Sequence, residues 1–191
     1  MPEITVAEIL MLEPKNLQKW VQSALTREFD VDANFNWLGL AEVLAFNARE
    51  GNDVSERILF AGLAVTIYDW LAKTEDPEHS DSYIDSAIAV RVYMLSNNYV
   101  DSFHPILGIN RIKRPWEGAK FSPSEALEIA ESFRDKLKIG SSQISLPERE
   151  KIRELRRIKN KMSLINQLPA DSDLLKEAKS NGWLEVYSRL P

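Results

Sequence analysis

Four arginines recur at helical spacing in the stretch Pro147–Met162, where seven of the sixteen residues are Lys or Arg. Arg149, Arg153, Arg156 and Arg157 fall on one side of a helix, because residues three and four apart share a face. A guanidinium is permanently charged, and its planar set of N–H donors fits carboxylates and phosphates. These four residues, which we call the arginine stripe, are therefore predicted to bind an anionic group of a partner.

Three interpretations of the arginine stripe stay open. In the first, it is the solvated side of an amphipathic helix whose apolar seam docks on the rest of the chain or on another helix. In the second, it binds an acidic protein surface in another protein, in a second copy of the chain or in residues 1–110 of the same chain. In the third, it binds nucleic-acid phosphates, which three interleaved glutamates and an isoelectric point of about 5.2 disfavour. The apolar seam consists of Ile152, Leu155, Ile158, Met162 and Ile165.

A second group of cations lies in the segment 101–123, which contains three prolines and two glycines and is predicted to be a long loop. Arg111, Lys113 and Arg114 precede Trp116 there. An aromatic ring can stack on a base while neighbouring cations bind phosphates, so this loop keeps the nucleic-acid alternative open. We assign these four residues, together with the arginine stripe, as the predicted partner-binding residues.

Arg91 is a charged residue in an otherwise apolar helical segment. Three apolar residues are predicted to share its helix face: Ile84, Ala87 and Leu95. A buried charge without a partner is strongly destabilising, so an ion pair is expected. Asp69 has the comparable position on the preceding helix, and Glu42 and Asp85 are alternative partners. Arg91 and Asp69 are predicted to form either a structural ion pair or part of an anion-binding site.

A row of carboxylates is predicted on the helix that begins near Ser124. Its members are Glu125, Glu128, Glu131 and Asp135. With acids from a second helix, such a row could hold Mg²⁺, which gives one alternative function, a small helical metal-dependent hydrolase. A solvated helix face explains the row equally well. His79 and His104 have no metal-ligand spacing and no glycine-rich phosphate loop occurs, so we predict no catalytic residue, metal or cofactor.

The elements that position these residues are all predicted to be helical. Seven segments have apolar residues at helical spacing, and none shows the alternation of a β-strand. The third and fourth segments are apolar on all sides, which is typical of central helices covered by their neighbours. The predicted helices are 14–29, 36–50, 55–73, 80–97, 124–137, 147–168 and 171–190, with a short turn at 6–12.

The predicted fold class is all-α, a multi-helix orthogonal or bundle-like body with a C-terminal two-helix extension. The body is expected at 1–137, a Gly/Ser linker at 138–147 and the basic extension at 148–191.

Charge is distributed unevenly along the 191 residues, whose net charge is −5. Residues 1–110 contain seven Lys or Arg against seventeen Asp or Glu, whereas residues 111–161 contain fourteen against eight. An acidic body beside a basic segment favours electrostatic contacts with partners. The sequence therefore predicts a non-catalytic α-helical protein–protein interaction or regulatory module, with a protein partner or self-association into a homo-oligomer.

The chain is predicted to be soluble and cytoplasmic, without a membrane partner. Its most apolar stretch, Ile58–Ala72, is fifteen residues long and contains Asp69, whereas a membrane span needs about 20 uncharged residues. The N-terminal residues lack the basic region of a signal peptide. The absence of cysteine excludes disulfides and a Cys nucleophile.

Overall fold

The computed structural model describes residues 4–74, 77–105, 107–139 and 144–190, without the side chains of residue 77 and residues 136–139. Within these ranges the chain forms nine α-helices and one short 3-10 turn and no β-strand, so the predicted all-α class is confirmed. None of the helices in the described part of the chain is long and apolar enough to cross a membrane.

By its internal contacts the chain divides into two compact units, Met1–Ile112 and Lys113–Pro191, which we call the N-terminal unit and the C-terminal unit. The N-terminal unit contains α1 (Val6–Leu10), α2 (Pro14–Leu25), α3 (Trp37–Glu50), α4 (Val54–Thr74), α5 (Pro77–Ser96) and the 3-10 turn Ile109–Arg111. The C-terminal unit contains α6 (Pro123–Ile139), α7 (Leu146–Ile165), α8 (Asp173–Ser180) and α9 (Trp183–Arg189).

Short polar side chains begin several of these helices. The Asn36 side chain accepts a hydrogen bond from a backbone N–H in the first turn of α3 at 2.8 Å. At α6, the Ser122 N–H donates to the Glu125 carboxylate at 2.7 Å, and the Glu125 N–H donates to Ser122 Oγ at 3.2 Å. Ser145 and Glu148 make the same reciprocal pair at α7. These bonds satisfy N–H groups that a first helical turn leaves unpaired, so local sequence fixes where these helices begin.

Helix α4 is the centre of the N-terminal unit and packs against α2, α3 and α5. Its buried residues occupy nearly consecutive positions and so face all directions: Ala61, Gly62, Leu63, Ala64, Val65, Ile67, Tyr68 and Leu71. A helix that is apolar on all sides is stable only when neighbours cover it. The structure gives α4 this central position, as the sequence predicts.

In the C-terminal unit, α6, α7 and α9 pack against one another and α8 packs against α9. Four residues of the apolar seam of α7 are buried: Leu155, Ile158, Met162 and Ile165. These four residues are therefore covered in the folded protein, whereas Ile152, the fifth residue of the seam, is half-buried.

The structure divides the predicted helix 171–190 into α8 and α9. Gly182 lies between them with φ of 82°, a left-handed conformation that glycine adopts without the steric clash of a side chain. The Asn181-Gly182 pair was the sequence signal for this break.

The contacts group α6 with the helices that follow it, whereas the sequence-based division places 1–137 apart from 148–191. Helix α6 extends to Ile139 and α7 begins at Leu146, so helical residues occupy both ends of the predicted linker 138–147. Residues 140–143 of that linker lie outside the described residues.

Candidate functional site

The arginine stripe lies on α7, where its four members have different surroundings. Arg149 and Arg153 are exposed, and neither forms an ion pair with any residue that the structure describes. Arg157 is half-buried, with Nη2 3.8 Å from the Glu154 carboxylate. The Arg156 guanidinium lies over the Phe133 ring of α6, 5.5 Å from its centroid, within cation–π range. Arg149 and Arg153 are therefore the two members of the stripe for which the structure shows neither an ion pair nor a ring contact among the described residues.

Arg153 and Arg157 also line a cavity of about 790 Å³ formed by α6, α7 and the loop 118–121. The Glu154 carboxylate accepts a hydrogen bond from the Lys120 backbone N–H at 3.3 Å, which holds this loop beside α7. We call this cavity the mixed-charge groove, because four cationic and four anionic residues line it: Lys120, Lys151, Arg153, Arg157, Glu125, Glu128, Glu150 and Glu154. Its lining is balanced in charge, unlike the uniformly basic surface that the arginine stripe alone suggests.

In the predicted loop 101–123, one of the three cations that were predicted to bind a partner is already paired within the protein. Arg111 and Lys113 are exposed, and Trp116 is half-buried. Arg114 forms a bidentate ion pair with Glu177 of α8, in which Nη2 lies 3.0 Å from Oε2 and Nε lies 3.4 Å from Oε1. A bidentate guanidinium–carboxylate pair is among the stronger charged hydrogen bonds. Arg114 therefore fixes the loop to α8 and is already occupied within the C-terminal unit.

Arg91 and Asp69 form an ion pair between α5 and α4, with Arg91 Nη2 2.7 Å from Asp69 Oδ2. The Arg91 residue is 4% exposed. Its Nε atom is buried and has no hydrogen-bond partner among the described residues. This geometry matches the predicted pairing and accounts for a structural role, whereas the anion-binding role stays a prediction.

Two members of the carboxylate row of α6, Glu125 and Glu131, interact with other residues of the protein. Hydrogen bonds from the Ser122 backbone N–H and then from its hydroxyl hold the pKa of the Glu125 carboxyl below its ordinary value, and nearby Lys151 adds to this. Glu131 Oε1 lies 3.8 Å from Nη1 of Arg189 on α9. Among the residues that the structure describes, no three His, Asp or Glu side chains lie close enough together to hold a metal ion.

The two histidines are in different settings. His79 is exposed on α5. The Nδ1 atom of His104 accepts a hydrogen bond from the Leu107 backbone N–H at 3.3 Å, which orders the loop after α5.

An aromatic cavity of about 630 Å³ in the N-terminal unit was missed by sequence reasoning. The α2–α3 loop, the first turn of α3, the end of α4 and the start of α5 form it. Five aromatic residues line it: Phe29, Phe35, Trp37, Trp70 and Tyr83. The one sequence signal is the run of Phe29, Phe35 and Trp37 in a segment that also contains Asp30 and Asp32. Trp70 and Tyr83 come from other helices, so no local pattern shows that they join this group.

Lys161 is a buried charged residue that sequence reasoning also missed. It lies on α7, three residues after Ile158 and next to Met162, and is 2% exposed. Its position beside the apolar seam was the signal that it would be buried.

The comparisons with known proteins add no family to these observations. No protein-family model, no curated protein and no solved structure matches the chain.

Proposed function

We propose that this protein is a non-catalytic helical protein–protein interaction or regulatory module that binds an acidic segment of a protein, in a second copy of the chain or in another protein, on the α7 surface. The single observation that supports this proposal is the pair of exposed arginines, Arg149 and Arg153, without ion-pair partners among the described residues, beside the mixed-charge groove. Guanidinium groups that are exposed and unpaired can bind carboxylates of a partner without first breaking an internal ion pair.

The balanced lining of the groove favours a protein over a nucleic acid. A nucleic-acid backbone presents a regular row of negative phosphates, which the groove's Glu125, Glu128, Glu150 and Glu154 would repel. A protein surface carries both signs, so its cations can meet these glutamates while its carboxylates meet the arginines.

An exposed apolar residue lies at the start of the same helix. Leu146 is 75% exposed, and the next residue, Pro147, lines the mixed-charge groove. Protein interfaces combine a small apolar centre with charged residues around it. Leu146 gives the α7 surface an apolar contact in place of the seam, four residues of which are already buried.

The test compares two double variants of the full-length protein that change its charge equally. Arg149→Glu/Arg153→Glu reverses the two free arginines, and Lys176→Glu/Lys179→Glu reverses two exposed lysines of α8 as the control. Light scattering and sedimentation at low and high salt measure self-association. A fluorescent peptide that is rich in Glu and Leu and also contains Lys represents a protein segment, and a thymidine oligonucleotide represents a nucleic acid; the binding of each is followed by anisotropy.

We expect self-association or peptide binding that weakens about tenfold or more in the arginine variant and little in the lysine control, since each close charge pair at an interface contributes about 1 kcal/mol or more. Equal loss in both variants would show that only net charge matters and would contradict the proposal. Tight, salt-sensitive binding of the oligonucleotide without peptide binding or self-association would replace it with the nucleic-acid alternative.

A further inference from the structure

We propose that the aromatic cavity of the N-terminal unit binds an organic cation of the quaternary-ammonium type. This inference is independent of the α7 surface and rests on the shape, the ring surfaces and the charge of the cavity. Its volume of about 630 Å³ falls within the range of roughly 300–1,000 Å³ that small-molecule sites occupy.

The walls of the cavity are rings that meet at an angle. Trp37 lies at the centre of the group, with its ring centroid 4.9 Å from Phe35 and 5.4 Å from Trp70. The rings of these two pairs are inclined by 70° and 53°. Trp37, Trp70 and Tyr83 are only half-buried, so each keeps accessible surface. Inclined rings of this kind can present faces to one guest from more than one side.

The chemistry of these rings favours a cation. The face of an aromatic ring carries negative potential, and tryptophan attracts cations more strongly than the other aromatic side chains. A quaternary ammonium is weakly hydrated and covered by methyl groups, so it gains both the cation–π attraction and apolar contact with the rings. A metal cation such as Mg²⁺ is a poor fit, because it requires oxygen ligands in place of rings.

The charged residues that line the cavity also favour a cation. Two carboxylates, Asp30 and Asp32, line it against one guanidinium, Arg27, which leaves an excess of one negative charge. Asp32 Oδ1 accepts a hydrogen bond from the Asn34 backbone N–H at 2.7 Å, so its carboxylate is held in place. The N-terminal unit as a whole contains seventeen Asp or Glu against eight Lys or Arg. A net negative field of this kind raises the local concentration of cations.

The test uses choline and its uncharged carbon isostere dimethylbutanol, which has the same shape without the positive charge. Each is titrated into isotope-labelled full-length protein while NMR follows the indole N–H signals of the five tryptophans. Trp37 and Trp70 report on the cavity. Trp116 and Trp183 belong to the C-terminal unit and serve as internal controls.

Two conservative variants separate charge from fold. Asp30→Asn removes one carboxylate of the cavity without changing its size, and Glu50→Gln removes an exposed carboxylate of α3 that does not line the cavity. Neither substitution touches the core, so both proteins are expected to fold, and their thermal unfolding temperatures check this.

We expect choline to shift the Trp37 and Trp70 signals saturably and to bind about tenfold more tightly than dimethylbutanol, the difference that cation–π contacts with two half-buried rings together provide. Asp30→Asn is expected to weaken choline several-fold and leave dimethylbutanol unchanged, while Glu50→Gln changes neither. Equal affinities for the two compounds, equal shifts at all five tryptophans, or no saturable shift by choline would each overturn the proposal.

Discussion

At the scale of single residues, the Arg91–Asp69 ion pair joins two groups of unequal burial. The Arg91 side chain is 5% exposed, whereas that of Asp69 is 41% exposed. Water can therefore solvate Asp69 when Arg91 is removed, but it cannot easily reach Arg91 when Asp69 is removed. The cost of breaking the pair depends on which partner is left behind.

We expect Asp69→Ala to lower the free energy of unfolding by about 2–4 kcal/mol, because it leaves a buried guanidinium without its counter-charge. Arg91→Met is expected to cost less than half of this, since its thioether side chain fills the apolar space. Urea unfolding followed by circular dichroism measures both. The double variant is the control and is expected to recover part of the Asp69→Ala loss. A greater loss in Arg91→Met than in Asp69→Ala would refute this asymmetry.

The buried Tyr68 hydroxyl is expected to make the stability of the protein fall in alkaline solution. Burial in the core, and then the negative charge of Glu42, raise the pKa of the Tyr68 hydroxyl above its ordinary value. In alkaline solution the unfolded chain therefore loses this proton at lower pH than the folded chain does. The Tyr68 contribution to stability is complete below pH of about 10 and is lost as the pH rises from there through the folded-state pKa.

Urea unfolding at a series of pH values from neutral to strongly alkaline measures this loss. Tyr68→Phe is expected to flatten the alkaline fall in stability, and Tyr187→Phe, in the C-terminal unit, is the matched control. Identical alkaline profiles for Tyr68→Phe and the wild type would contradict the assignment.

At the scale of helices, the junction between α8 and α9 depends on backbone conformation. Gly182 and Gly118 both have left-handed backbones, with φ of 82° and 77°. A Cβ atom at Gly182 would lie 3.3 Å from Pro123 Cβ at the start of α6, whereas a Cβ at Gly118 would meet nothing within 4 Å. The two positions share the same backbone strain and differ in packing.

We expect Gly118→Ala to cost about 1 kcal/mol of stability, the strain of a left-handed alanine. Gly182→Ala is expected to cost more, about 2–3 kcal/mol, since the close approach to Pro123 adds to the same strain. Thermal and urea unfolding of the two variants compare them directly. Equal losses would show that Pro123 moves aside without cost.

At the scale of the whole molecule, the change in charge along the sequence coincides with the division into compact units. The N-terminal unit carries eight Lys or Arg against seventeen Asp or Glu, and the C-terminal unit carries sixteen against twelve. The net charges are thus −9 and +4, which sum to the −5 of the chain. The change from acidic residues 1–110 to basic residues 111–161 thus lies within two residues of the boundary between the units, each of which has its own set of packed helices.

Two fragments distinguish this division from the one predicted from sequence. Residues 113–191 contain α6 together with α7 and α9, which pack against it, and are expected to show helical circular dichroism and cooperative unfolding. Residues 138–191 lack all but the last two residues of α6 and leave the apolar residues of α7 without one of their neighbours, so this fragment is expected to unfold at much lower temperature or to be unfolded. Equal stability of the two fragments would favour the sequence-based boundary.

The sequence alone determined the features that depend on local spacing. Apolar periodicity predicted the helices and the central place of α4, because residues three and four apart along a helix share one face. The sequence also predicted an ion pair for Arg91, since a buried charge requires a partner and Asp69 has the comparable position on the preceding helix.

Only the tertiary structure decided which residues from distant segments meet. Arg114 pairs with Glu177, and Arg156 lies over Phe133. These contacts show which of the predicted partner-binding cations already interact within the protein. The aromatic cavity brings Phe29 and Trp37 together with Trp70 and Tyr83 from two other helices. Helical periodicity gives the face of a residue but not the neighbour that this face meets, because packing between helices is set by the shape and volume of many side chains together.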